Sequence, residues 1–87
     1  MPPSATLFNL NGDTLNIDTA CRNTYPFVAT HVRTTQSYLL LFNEDGCPSG
    51  DDVKCGVPMT KGKKCHLGRW AGKVVSCRRH DLPNGYP

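Results

Sequence analysis

Eighty-seven residues, 38% of them hydrophobic, make a chain with room for one core and one domain. The longest apolar run, Tyr38 to Phe42, covers five residues, so no segment is long enough for a membrane-crossing helix. Charged residues at 20% and a net charge of +3 exclude both a charge-swollen disordered tail and a polycation of the histone kind.

Five short segments carry branched or aromatic residues between clusters of Gly, Pro, Asn and Asp: Thr6-Leu7-Phe8, Leu15-Asn16-Ile17, Val28 to Val32, Tyr38 to Phe42 and Lys73 to Ser76. Each predicts a strand. No window holds an i, i+3, i+4, i+7 apolar stripe, so at most one short helical turn is expected and the class is all-β. Asn11-Gly12 and Asp45-Gly46 predict hairpins of type I′, whose two central residues need positive φ. Cys21, Cys47, Cys55, Cys65 and Cys77 are many for so small a chain and predict disulfide staples, hence a secreted, extracellular protein. An odd count leaves one thiol free or paired with a second molecule, so a monomer or a disulfide-linked dimer is expected. Met1-Pro2-Pro3-Ser4 lacks the basic and apolar regions of a secretory signal, which reads as a mature form with an added initiator Met.

An internal repeat joins these signals. Leu7-Phe8-Asn9-Leu10-Asn11-Gly12-Asp13 leads to Cys21, and Leu41-Phe42-Asn43-Glu44-Asp45-Gly46-Cys47 leads to Cys55, with thirteen residues from Phe to Cys in both. Each copy then ends in a further strand, the second copy being longer by about nine residues between Val57 and Trp70. One domain over 1–87 is expected, with Greek-key motifs at 5–34 and 38–79 and a tail at 80–87.

Two such motifs in under ninety residues resemble the βγ-crystallin fold. Phe42 to Cys47, then Cys65-His66-Leu67-Gly68-Arg69-Trp70 and Cys77, resemble the second motif of the macadamia-type plant antimicrobial proteins, which are similar to yeast killer-toxin-like proteins. The resemblance implies a small disulfide-stapled β-sandwich of two Greek keys, with a staple from Cys21 to Cys77, preferred, or to Cys47, and one further bridge among Cys47, Cys55 and Cys65. It departs from the family pattern in the hairpin glycine (Gly50 is one place late, Leu15 stands in the first copy), in Asp13 where a cysteine is usual, and in the serine near the last strand, where Gly72 stands. The paired Asn/Asp residues of calcium-binding members are not seen before Val28 or Val74, so calcium is not expected.

Zinc on Cys55, Cys65, His66, Cys77 and His80 is the alternative to bridges, but no Cys-x2-Cys or Cys-x4-Cys knuckle is present. No spacing poises a thiol against His31, His66 or His80. Asp13, Asp18, Glu44, Asp45, Asp51, Asp52 and Asp81 all fall in turn-like segments, where carboxylates serve the backbone or solvent. The expectation is no catalysis, no metal and no cofactor.

Charge is unevenly divided. Residues 1–53 hold two basic against six acidic side chains, and residues 54–87 hold eight against one. Lys61, Lys63, Lys64, Arg69, Lys73, Arg78 and Arg79 are the candidate binding residues, a basic patch suited to a microbial cell-wall polysaccharide, an anionic membrane or a host protein face. The plainer reading is a solvated basic loop balancing the acidic hairpins. Nucleic acid is not expected, since no groove-reading helix or multi-aromatic strand is seen. Trp70, Tyr25, Phe27, Tyr38 and Phe42 are read as packing residues. The resemblance implies a secreted antimicrobial or toxin-like protein; a fungal effector that binds a plant host protein and a proteinase inhibitor are the alternatives.

Overall fold

In β1 (Ser4–Phe8) Ala5 and Leu7 turn one way and Ser4, Thr6 and Phe8 the other, the period of two that buries one face of a strand. The same alternation organises β4 (His31–Thr35) and β5 (Ser37–Phe42), while β2 (Thr14–Asn16), β3 (Arg22–Asn23), β6 (Lys64–His66) and β7 (Ser76–Asp81) complete an all-β chain. A single 3-10 turn, Gly68–Trp70, is the helical element among the described residues. The computed structural model describes residues 2–48 and 62–83.

The strands form two antiparallel sheets, one in the order β2-β1-β4-β6 and the other β3-β7-β5. Each sheet therefore takes a short strand from the far half of the chain: β3 pairs with β7, and β6 pairs with β4. The two halves also share a register. Ser4 faces Thr35 and Phe8 faces His31 in the first, as Tyr38 faces His80 and Phe42 faces Ser76 in the second. One core lies between them, with Ala5, Leu7 and Val32 from one sheet and Leu39, Leu41 and Cys77 from the other, closed by Ile17, Leu67, Trp70 and Val74.

Several expectations are corrected. The last strand runs Ser76–Asp81 rather than Lys73 to Ser76, so His80 and Asp81 belong to the sheet and not to a tail. Val74 enters the core from the turn before it, and the charged residues that follow are extended because β5 pairs with them. Tertiary pairing overrides propensity here. The fourth strand likewise begins at His31, not Val28. In the hairpins only the glycines, Gly12 at φ +85° and Gly46 at φ +79°, and Cys47 at +51° have positive φ, so neither is the expected type I′ turn. Gly12 N–H donates to Asn9 C=O at 3.1 Å, and the Asn9 side chain accepts from Asn11 and Asp13 N–H at 2.9 Å each. That is a three-residue loop, a turn centred on Leu10-Asn11 followed by Gly12 as the left-handed residue that returns the chain to β2. Ser76, at the head of β7, donates its hydroxyl proton to Glu44 C=O and accepts from Cys47 N–H at 3.0 Å, fixing the turn that follows β5.

The disulfide pairing also differs from the preferred one. Cys21 bonds Cys47, with Cα atoms 5.9 Å apart, while Cys77 is free and buried. The pleat explains why: Cys77 alternates with Ser76 and Arg78 and points into the core opposite Arg22, whereas Cys21 lies at the surface just outside β3. The bridge closes a span of 26 residues and contributes about 3–4 kcal/mol by restricting the unfolded chain. Cys65 is disulfide-bonded too, its partner lying outside the described residues. Tyr25, expected in the core, is 87% exposed.

Burial pushes the Cys77 thiol up to about 12, against a smaller opposite pull from Arg22. Its thiolate is scarcely populated at neutral pH and its sulfur is sealed, so the dimer route expected for the odd cysteine is closed while the sheets are intact. A thiol reagent such as iodoacetamide should leave the native chain unlabelled and label one cysteine after denaturation without reductant; rapid labelling of the native chain contradicts this placement.

Candidate functional site

The β4–β6 ladder decides which basic residues meet. His31 faces His66 and Arg33 faces Lys64, and since positions two apart in a strand share a face, all four side chains stand on the side of the sheet away from the core. Phe8, opposite His31, shares that face. Its ring is 7% exposed and lies beneath two cations, Lys64 Nζ at 4.5 Å and Arg33 Cζ at 5.2 Å from the ring centroid. Each cation–π contact of this kind contributes about 0.5–1 kcal/mol at the surface, enough to hold two like charges side by side on one platform.

Hydrogen bonds set the two imidazoles. His66 Nδ1 accepts from Gly68 N–H at 2.8 Å, so its neutral ring carries the proton on Nε2. Thr30 Oγ1 donates to Phe8 C=O at 3.3 Å and is hydrogen-bonded with His31 Nδ1 at 2.9 Å. The rings meet edge to face at 4.8 Å. The His31 pKa is lowered, first by partial desolvation and then by His66 and Lys64. Ser4 and Thr6 of β1 and Thr14 and Asn16 of β2 fill the rest of the face, so the described strand positions place no carboxylate on it. Such a surface is suited to anions: two cations held on an aromatic support, with no carboxylate beside them at the described strand positions.

The other candidate residues are distributed elsewhere. Arg69 and Lys73 line a cleft of about 200 Å³ with Asn43 and Trp70, the Trp itself being 8% exposed and part of the core. Arg78 lies on β7 across from Leu40. Arg79 is structural: its guanidinium pairs with Asp81 at 2.7 Å and reaches Ile17 C=O at 3.4 Å. Lys63 is exposed just before β6, and Lys61 lies outside the described residues. The single basic patch expected from the second half is therefore divided over both sheets, and its best-formed part recruits Arg33, His31 and His66, which sequence reasoning missed. Their signal was the alternation His31-x-Arg33 and Lys64-x-His66, two basic residues on one face of each strand.

Of the five residues named for zinc, Cys55 lies outside the described residues. Cys65 is in a disulfide, His66 Nδ1 is occupied by Gly68, and His80 stacks on Tyr38 at 4.9 Å. Among the described residues no three His, Cys, Asp or Glu side chains are placed to share a metal ion. Compared with known protein-family models, curated proteins and solved structures, the chain matches none.

The sign of the pH effect follows from His31. With its folded pKa below the ordinary 6.5, its contribution to stability is complete above that value and is lost as pH falls through it, because the unfolded chain takes up the proton first. The urea midpoint should fall between pH 7.5 and 5.5, and His31→Asn should flatten that dependence; an unchanged slope in the variant contradicts the placement of His31 beside Lys64 and His66.

Proposed function

We propose that the chain is a secreted, disulfide-stapled sandwich of two Greek-key motifs, similar to the βγ-crystallin-like antimicrobial and toxin proteins, and that it acts without catalysis by binding an anionic component of a microbial surface. The observation that carries this reading is the face built on Phe8, where Arg33, Lys64, His31 and His66 stand together on the outer side of one sheet. An oppositely charged surface gains about 1 kcal/mol from each Lys or Arg brought to it, so Arg33 and Lys64 together supply about 2 kcal/mol, with Lys63 beside them and Arg69 and Lys73 in the Trp70 cleft adding to the field. The Cys21–Cys47 bridge suits an oxidising compartment, which supports secretion. Cell-wall polysaccharide and membrane lipid both present the required charge.

The test is growth inhibition over a panel of fungi and bacteria. Wild-type protein should inhibit, and Arg33→Gln with Lys64→Gln should raise the half-inhibitory concentration by more than about tenfold while circular dichroism and the thermal midpoint show an intact fold. Inhibition that is equal in the double variant, or absent from the wild type across the panel, overturns the reading.

A further inference from the structure

Three large apolar side chains stay exposed among the described residues, Leu10 at 85%, Tyr25 at 87% and Val28 at 59%; Leu10 and Val28 line one groove, and Tyr25 directly precedes Pro26 of its lining. Leu10 is the tip of the hairpin between β1 and β2, and Tyr25 and Val28 lie in the loop that leads into β4. Hairpin and loop flank a groove of about 390 Å³ lined by Leu10, Pro26, Phe27 and Val28, with Asn9, Asn11 and Thr30 at its polar edge. Folding leaves these side chains in water although one core is already complete without them, and a cluster of this kind on a small soluble domain marks a contact surface.

What covers the tip is indicated by what borders it. Thr30 N–H donates to Phe8 C=O at 2.8 Å, and the next residue is His31, so the apolar tip runs directly into the face bearing His31, His66, Arg33 and Lys64. Asp13, the carboxylate of the same hairpin, accepts from the Asn9 side chain at 3.1 Å. An aliphatic and aromatic tip beside a cationic face matches the two layers of an anionic bilayer: apolar side chains enter the boundary between headgroups and acyl chains, and the cations stay among the phosphates. Tyr25, apolar in its ring and polar at its hydroxyl, suits the headgroup level. We propose that this tip is a membrane-docking site, in which Leu10, Tyr25 and Val28 insert shallowly into an anionic lipid surface held by Arg33 and Lys64. The proposal rests on the anionic-surface reading above and narrows it from any microbial polyanion to a lipid bilayer.

The experiment is sedimentation of the full chain with phosphatidylcholine vesicles and with vesicles carrying a quarter phosphatidylglycerol. The wild type should bind the anionic vesicles and only weakly the neutral ones. Arg33→Gln with Lys64→Gln should weaken that binding roughly thirtyfold. Leu10→Ser with Val28→Ser, both at exposed positions, should weaken it about tenfold or more at unchanged charge. Leu10→Trp should show a blue-shifted emission on anionic vesicles and quenching by lipids brominated near the headgroup end of the chain. Binding that is unaffected by the two serines, or a Leu10→Trp emission that stays solvent-like, shows attachment by charge alone and overturns the docking site. Growth inhibition without vesicle binding overturns it too, leaving a wall polysaccharide or a protein partner as the target. Vesicle binding with no inhibition instead keeps the docking site and removes the antimicrobial reading.

Discussion

Two short strands change sheets, and the rest of the molecule depends on it. β3 and β6 each leave their own half of the chain and pair with the last strand of the other half, Arg22 against Cys77 and Val32 against Cys65. Strands of two or three residues do not persist alone. β3 is held by the Cys21–Cys47 bridge, by the Asn23 side chain accepting from Gly46 N–H at 3.2 Å, and by Thr24 N–H donating to Val75 C=O at 2.9 Å. β6 is extended by Leu67 N–H donating to Thr30 C=O at 2.9 Å, the same contact in the opposite sheet. Each half thereby completes a sheet of the other, and one core forms where two separate halves would each be too small.

The exchange also makes the basic face. His66 and Lys64 reach His31 and Arg33 only because β6 lies beside β4. Phe8 turns that proximity into a defined surface, since its buried ring gives both cations a place to rest that costs little desolvation. Function on this account does not reside in the second half alone; it is assembled across the two.

Much of this was legible in the sequence. The β1, β2 and β5 segments, the all-β class and the reversal between β1 and β2 follow from local pattern, because each is decided by residues close together in the chain. The missed features are those decided across the fold. Arg22-Asn23 and Lys64 to His66 are too short and too polar to carry a strand signal. The cysteine pairing turned on which face of β7 Cys77 occupies, and spacing cannot give that when a strand's start is misplaced by three residues. Dividing the charge by position in the sequence put Arg33 in the acidic half, although its ladder partner is Lys64. Tyr25 resembles a core aromatic in composition but sits in the loop that remains uncovered.

The exchange of β6 is the most direct point of test, through interstrand nuclear Overhauser effects in the folded protein. The account predicts backbone contacts between His31 and His66 and between Arg33 and Lys64. Contacts placing Lys64 to His66 against β5 or β7 instead would contradict it, since the second half would then close on itself and the basic face would not exist.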